Sequence, residues 1–178
     1  MGEATIFENM VMDALTGLPM PQDLPQILSQ ITHDHALSQL IGVVFDIDGF
    51  IWVNACFGPD VGDATLVCFS QWLLECAQSL QVHLIRIGGD EFLMLFPNQS
   101  LEEVSIIAQN LVQECQTQHI QYFRPDYPRK FLTISACVLA LPSNFPENLN
   151  DLRECTAQAL YEKEVQVGCD YGLTVTLA

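Results

Sequence analysis

The sequence predicts a single α+β domain built on a mixed, mostly antiparallel five-stranded sheet with helices over its faces. Three observations carry this expectation. Two apolar runs, His83–Ile87 and Phe92–Phe96, are joined only by Gly88-Gly89-Asp90-Glu91, which demands a hairpin. Stretches with helical apolar spacing fall between other strand-like runs, so some connections must cross over rather than turn back. The strand-like runs are apolar at consecutive positions, as in Val43–Phe45 and Leu93–Phe96, so the sheet is expected to be covered on both sides.

Taken in order, Leu24, Ile27, Leu28 and Ile31 fall on one side of a helix expected over 24–37. The β-branched run 40–45 reads as a buried strand ending in Asp46-Ile47-Asp48-Gly49. Leu66, Phe69, Leu73 and Ala77 mark a helix over 63–80, which leads into the hairpin. Ser100 followed by Glu103 is a capping-box pattern opening a helix over 101–118. A strand over 131–141, a helix over 150–163 and a last strand over 173–177 complete the order. Residues 1–10 read as a lead segment and 11–178 as the domain.

Composition narrows the function. The 178 residues carry 22 acids against 6 bases, a net charge of −16. A nucleic-acid binder or an anionic-membrane binder needs a basic face, which six scattered bases do not build. Hydrophobic residues make up 49% of the chain, which excludes wholesale disorder. No apolar run approaches the roughly 20 residues that span a bilayer, and Met1–Thr5 lacks the basic and apolar regions of a signal peptide. The seven cysteines are odd in number, contain no C-x-x-C pair and sit mostly among apolar neighbours. They are expected to be small buried hydrophobes in a reducing cytoplasm. The four histidines are scattered and suggest no metal site.

Two acid-bearing turns remain. Strand alternation puts Asp46 and Asp48 on one side of the chain, and Asp90-Glu91 lies on the hairpin. Four carboxylates near one sheet end raise one another's pKa values unless a cation sits among them. Hard cations such as Mg2+ take carboxylate and carbonyl oxygens and are completed by water and substrate phosphates. Gly88 and Gly89, without side chains, let a ligand approach the backbone closely. These residues suggest a Mg2+–phosphate site; the plain alternative is a Gly-Gly turn with solvated acids at its tip.

Arg86-Ile87-Gly88-Gly89-Asp90-Glu91-Phe92 contains the GGDEF signature, in hairpin context, and resembles the diguanylate cyclase family. Asp13-Ala14-Leu15-Thr16-Gly17-Leu18 is similar to the family's D-x-L-T-G-L opening. The stretch 45–66, FDIDGFIWVNACFGPDVGDATL, is similar to its D-I-D-x-F-K-x-I-N-D-x-x-G-H-x-x-G-D-x-x-L. Thr133-Ile134-Ser135 and Ala159-Leu160-Tyr161 match later family positions. The resemblance implies a nucleotidyl-cyclase palm-like fold. It also implies condensation of two GTP into cyclic di-GMP with Mg2+ or Mn2+, one GTP on each of two domains meeting face to face. It assigns Asp46, the Ile47 carbonyl, Asp90 and Glu91 to metal. One of Asp90 and Glu91 would assist deprotonation of the 3′-hydroxyl. Gly88, Gly89, Gly49 and Phe50 would lie against the nucleotide, and Asn54 and Asp63 would read the guanine edge.

Departures from the family pattern bear on that activity. The phosphate-contacting lysine is replaced by Ile51, and Ala55, Pro59 and Met20-Pro21 also break the pattern. Toward the end of the chain Glu164 and Gly168 stand where the family has bases. Losing two or three charge-assisted contacts of about 1.5–3 kcal/mol each weakens triphosphate binding by several powers of ten. Two expectations follow: an impaired cyclase with a degenerate site, or an inactive domain acting as a guanine-nucleotide or protein-interaction module in cyclic di-GMP signalling. The R-x-x-D expected for product inhibition is Ser79-Leu80-Gln81-Val82, so inhibition of that type is not expected. The length leaves no room for a sensor domain, so the chain is expected to dimerise through its active-site face or to dock onto a separate regulatory protein.

Overall fold

The computed structural model describes residues 10–34, 37–117, 132–141 and 173–176. A short 3-10 turn, Pro21–Asp23, precedes helix α1 (Leu24–Asp34). Strand β1 (Leu40–Ile47) is followed by α2 (Phe50–Phe57) and α3 (Pro59–Leu80). The hairpin strands are β2 (His83–Arg86) and β3 (Glu91–Pro97), followed by α4 (Leu101–Thr117), β4 (Ile134–Leu141) and β5 (Leu173–Thr176). The sheet has the order β2-β3-β1-β4-β5. β1 is central, antiparallel to β3 and β4, and only β4 and β5 run parallel. The long connection from β4 to β5 suits that parallel pairing, which no tight turn can make.

Strand alternation divides the core in two. Val43, Phe45, Phe92, Met94, Phe96, Ala136 and Val138 face one side, where α3 and α4 contribute Phe69, Leu73, Val104 and Ala108. Val44, Leu93, Leu95, Cys137 and Leu139 face the other, where α1 contributes Leu24, Ile27, Leu28 and Ile31. The fully buried Phe45, Phe69, Phe92 and Phe96 anchor the first layer; burying each aromatic side chain stabilises the fold by about 1.5–3 kcal/mol. Phe69 meets Phe92 edge to face at 5.1 Å between ring centroids.

Several boundaries differ from the sequence reading. The first helix stops at Asp34, short of residue 37, and β4 starts at Ile134 rather than 131. The long helix begins at Pro59 instead of 63, because proline suits the first helical position and Gly58 breaks the chain before it. Helix α2 is not expected from the sequence: Phe-Ile-Trp-Val-Asn-Ala-Cys-Phe has no polar face to give a helical period. The capping box at α4 is present, with the Glu103 N–H donating to Ser100 Oγ at 3.2 Å and the Ser100 N–H to Glu103 Oε2 at 2.9 Å. Of the described cysteines only Cys115 and Cys137 are buried, and Cys56 is exposed on α2. The expected helix over 150–163, with Tyr161, Glu164 and Gly168, lies outside the described residues.

Candidate active site at the end of the β1 and β3 strands

β1 pairs with β3 so that Asp46 stands directly opposite Glu91, and with β4 so that Asp46 stands opposite Ser135. Opposite residues of an antiparallel pair share a face, with Cβ atoms about 4.5–5.5 Å apart. The register therefore puts two acids from residues 45 positions apart (91 − 46) side by side at one sheet end. The Ile47 side chain is buried in the α3 and α4 layer, and its backbone follows Asp46 at the same end.

The turn between β2 and β3 is closed by the Glu91 carbonyl, which accepts the N–H groups of Ile87 at 3.0 Å and Gly88 at 3.2 Å. A Cβ added at Gly88 would collide with the Glu91 carboxylate, so this glycine is what lets Glu91 lie over the turn. Nothing lies within 4 Å of the corresponding position at Gly89, which leaves that backbone open to a ligand.

Arg86 fixes this turn. Its guanidinium donates to the Gly88 carbonyl at 3.2 Å, to the Gly89 carbonyl at 2.5 Å and to the Asp13 carboxylate at 2.7 Å. Asp13 also accepts the N–H and hydroxyl of Thr16, at 2.8 and 2.6 Å. Burial pushes the Asp13 carboxyl up, but the Thr16 bonds and Arg86 outweigh it and hold it below the ordinary range. The loop 13–18 and the hairpin turn are thus tied through one planar fork. Burial raises Asp90 above the ordinary carboxyl range, against the opposing pull of its own backbone N–H and of Arg86. A group raised in this way gains when a cation arrives.

Asn54 and Asp63, which the resemblance assigns to the guanine edge, lie on α2 and α3. The Asn54 carboxamide lies against Gly62, where any Cβ would overlap its Oδ1, and Asp63 is the exposed next residue. Phe50, at the start of α2, also packs on Gly62. Gly49 caps α2 with a left-handed φ of 67°, turning the chain from the β1 end into this helix.

Asp48 lies just past the end of β1 and meets Ser135, the β4 residue that stands opposite Asp46. β1 ends at Ile47, the Asp48 N–H donates to the Thr133 carbonyl at 3.1 Å, and the Ser135 hydroxyl donates to Asp48 Oδ1 at 2.6 Å. Its carboxylate therefore braces β1 against β4. Among the described residues no three acidic, thiol or imidazole side chains converge into a ready-made cation cage. Mg2+ is usually held by one or two carboxylates, waters and substrate phosphates, and the Asp46–Glu91 pair with the neighbouring Ile47 carbonyl fits that donor set. Ile51 is 84% exposed in the slot where the resemblance puts a phosphate-binding lysine. Arg86, the base nearest the turn in sequence, is engaged by Asp13 and two carbonyls. Arg86 and Asp13 are legible as motif letters but not as a clamp, although Asp13 followed by Thr16 has the i, i+3 spacing of a side-chain cap.

The hairpin thus sets carboxylates beside a central antiparallel strand in an α+β domain with helices on both faces of the sheet. The chain belongs to the family described as diguanylate cyclase, GGDEF domain, whose profile matches residues 10–167. Among curated proteins it is 36% identical over 101 residues to the cyclic di-GMP phosphodiesterase PdeR of Escherichia coli, covering 56% of this chain and 15% of that protein. It is 30% identical over 112 residues to the diguanylate cyclase DgcP of the same organism, covering 60% of this chain and 32% of that one. The chain therefore spans less than a third of either relative. The GGDEF domain of DgcB from Caulobacter crescentus, in complex with c-di-GMP, superposes with a TM-score of 0.73 at 21% identity, covering 92% of both chains. Among the described residues no helix is long and apolar enough to cross a membrane.

Proposed function

We propose that this domain condenses two GTP molecules into cyclic di-GMP with Mg2+ or Mn2+, slowed by the loss of phosphate-binding bases. The observation that carries the reading is the register of Asp46 against Glu91 beside a Gly-Gly-Asp-Glu turn clamped by Arg86. Asp46, the Ile47 carbonyl and Glu91 would hold the cation, which when bound offsets charge on the α-phosphate and positions the reactants. Asp90 or Glu91, both on the turn, would take the proton of the 3′-hydroxyl. The open backbone at Gly89 receives the nucleotide, and Asn54 with Asp63 accepts and donates along the guanine edge. Each domain holds one GTP, so two domains must meet with their sites facing for each 3′-hydroxyl to reach the other's α-phosphate.

A second reading has its own support. Ile51 puts an exposed apolar side chain in the phosphate-lysine slot, and Arg86 is already committed to the turn. Both favour a module that holds a guanine nucleotide without turnover, in cyclic di-GMP signalling. Mass spectrometry separates the two, using high-micromolar protein, millimolar GTP and Mg2+ or Mn2+. Cyclic di-GMP that disappears in the Asp90→Ala/Glu91→Ala variant supports the enzyme. No product under either metal leaves the binding module.

A further inference from the structure

We infer that Asp48 and Ser135 are positioning residues of the candidate site: together they hold the Ile47–Asp48 peptide so that its carbonyl is presented to a cation, and Asp48 is not itself a ligand. Residue 48 is fastened to the start of β4 at two points. Its N–H donates to the Thr133 carbonyl at 3.1 Å, and its Oδ1 accepts the Ser135 hydroxyl at 2.6 Å. The segment that supplies both partners is itself anchored. Leu132 is fully buried, Ile134 pairs with Ile47, and Ser135 is 8% exposed.

The direction of the Ile47 carbonyl follows from the first bond. A trans peptide unit carries its N–H and C=O on opposite sides. The Asp48 N–H points to β4, so the Ile47 carbonyl points the other way, to the β3 side of the central strand. That is the side on which Glu91 begins β3, opposite Asp46. The buried Ile47 side chain holds one end of this peptide, and the bonds of Asp48 hold the other.

The second bond speaks against a ligand role for Asp48. A serine hydroxyl has one proton to donate, and here it goes to Asp48 Oδ1. That oxygen is therefore turned toward β4, across β1 from Glu91. Asp46 and Asp48 alternate along one chain, yet the sheet gives them different work: Asp46 stands opposite Glu91, and Asp48 locks the strand end. Residues that orient a metal ligand in this way set its affinity without touching the ion. The role presumes the cation site proposed above.

The test measures Mn2+ binding in the presence of GTP by electron paramagnetic resonance, on the full chain and its variants. Ser135→Ala should weaken binding about tenfold, the lower end of what losing an orienting partner costs. Ser135→Thr, which keeps the hydroxyl, should bind close to wild type. Asp48→Ala should be as weak as Ser135→Ala, whereas Asp48→Asn keeps the acceptor oxygen and should stay close to wild type. A ligand role predicts the opposite pattern, with Asp48→Asn as weak as Asp48→Ala and Ser135→Ala without effect; that pattern overturns the proposal.

A second readout needs no metal. Ile47-Asp48 is the one Ile-Asp pair in the sequence, so 13C-carbonyl isoleucine with 15N-aspartate marks this single peptide. In the metal-free chain its amide should exchange with solvent faster in Ser135→Ala and at the wild-type rate in Ser135→Thr. Weakened Mn2+ binding in Ser135→Ala with unchanged exchange overturns the positioning role. Mn2+ binding that is indifferent to every variant overturns it too, while leaving the cation site standing. A wild-type chain that binds no Mn2+ beyond GTP alone removes the cation site and this role together.

Discussion

Replacing Asp13 with asparagine tests whether the loop 13–18 holds the hairpin turn through Arg86. The Asp13 and Arg86 side chains are 17% and 12% exposed, and their contact at 2.7 Å is supported by two Thr16 bonds to the same carboxylate oxygen. The asparagine side chain keeps one acceptor for Thr16 but loses the charge opposite Arg86. A partly exposed charge-assisted bond of this kind contributes about 1–2 kcal/mol. For a chain of this length that corresponds to a fall in Tm of about 2–8 °C at pH 7. The sign with pH follows from linkage. Asp13 is lowered in the folded state, so its stabilisation is complete above the ordinary carboxyl value of 3.8 and is lost as pH falls through the lower folded value. Melting curves of both proteins from pH 7 to pH 2.5 check this, and the gap between them should close at the acid end. Equal Tm values at pH 7, or a gap that stays constant to pH 2.5, would refute the clamp.

Three further changes probe the site. Asp90→Asn should raise Tm at pH 7 by about 1–3 °C. Asp90 is raised, so its favourable contribution is present below 3.8 and lost as pH climbs through the folded value, and the advantage of the substitution should vanish near pH 3. Gly62→Ala puts a Cβ into the Asn54 carboxamide; GTP-dependent stabilisation should fall about tenfold in apparent affinity while the ligand-free Tm holds, since alanine favours a helix interior. Ile51→Lys should tighten GTP binding by about ten- to a hundredfold, read by titration calorimetry, without changing the ligand-free Tm.

Most of the fold was legible because the strands are apolar on both faces and the hairpin turn is explicit. β1 and β3 read directly from Leu40–Phe45 and Phe92–Phe96, and the long stretch before β5 allowed only a crossover. Helix α2 was invisible, since eight residues without a charge carry no period that separates helix from buried strand. At the site, the motif letters marked Asp46, Asp90 and Glu91, and the register brings Asp46 and Glu91 side by side. What the letters could not supply was non-local bonding. Arg86 reaches Asp13 across 73 positions and Ser135 reaches Asp48 across 87, and neither separation leaves a local pattern. Those bonds decide which acid braces the sheet and which base is engaged in holding the turn.

The central claim is that the ends of β1 and β3 form a working cation–nucleotide site. Electron paramagnetic resonance of free Mn2+ tests it directly, with GTP present and the chain added in excess. The account predicts that the free Mn2+ signal falls below the level set by GTP alone, and returns to that level in Asp46→Asn and Glu91→Gln. A signal unchanged by the wild-type chain, or lowered equally by all three proteins, would contradict it.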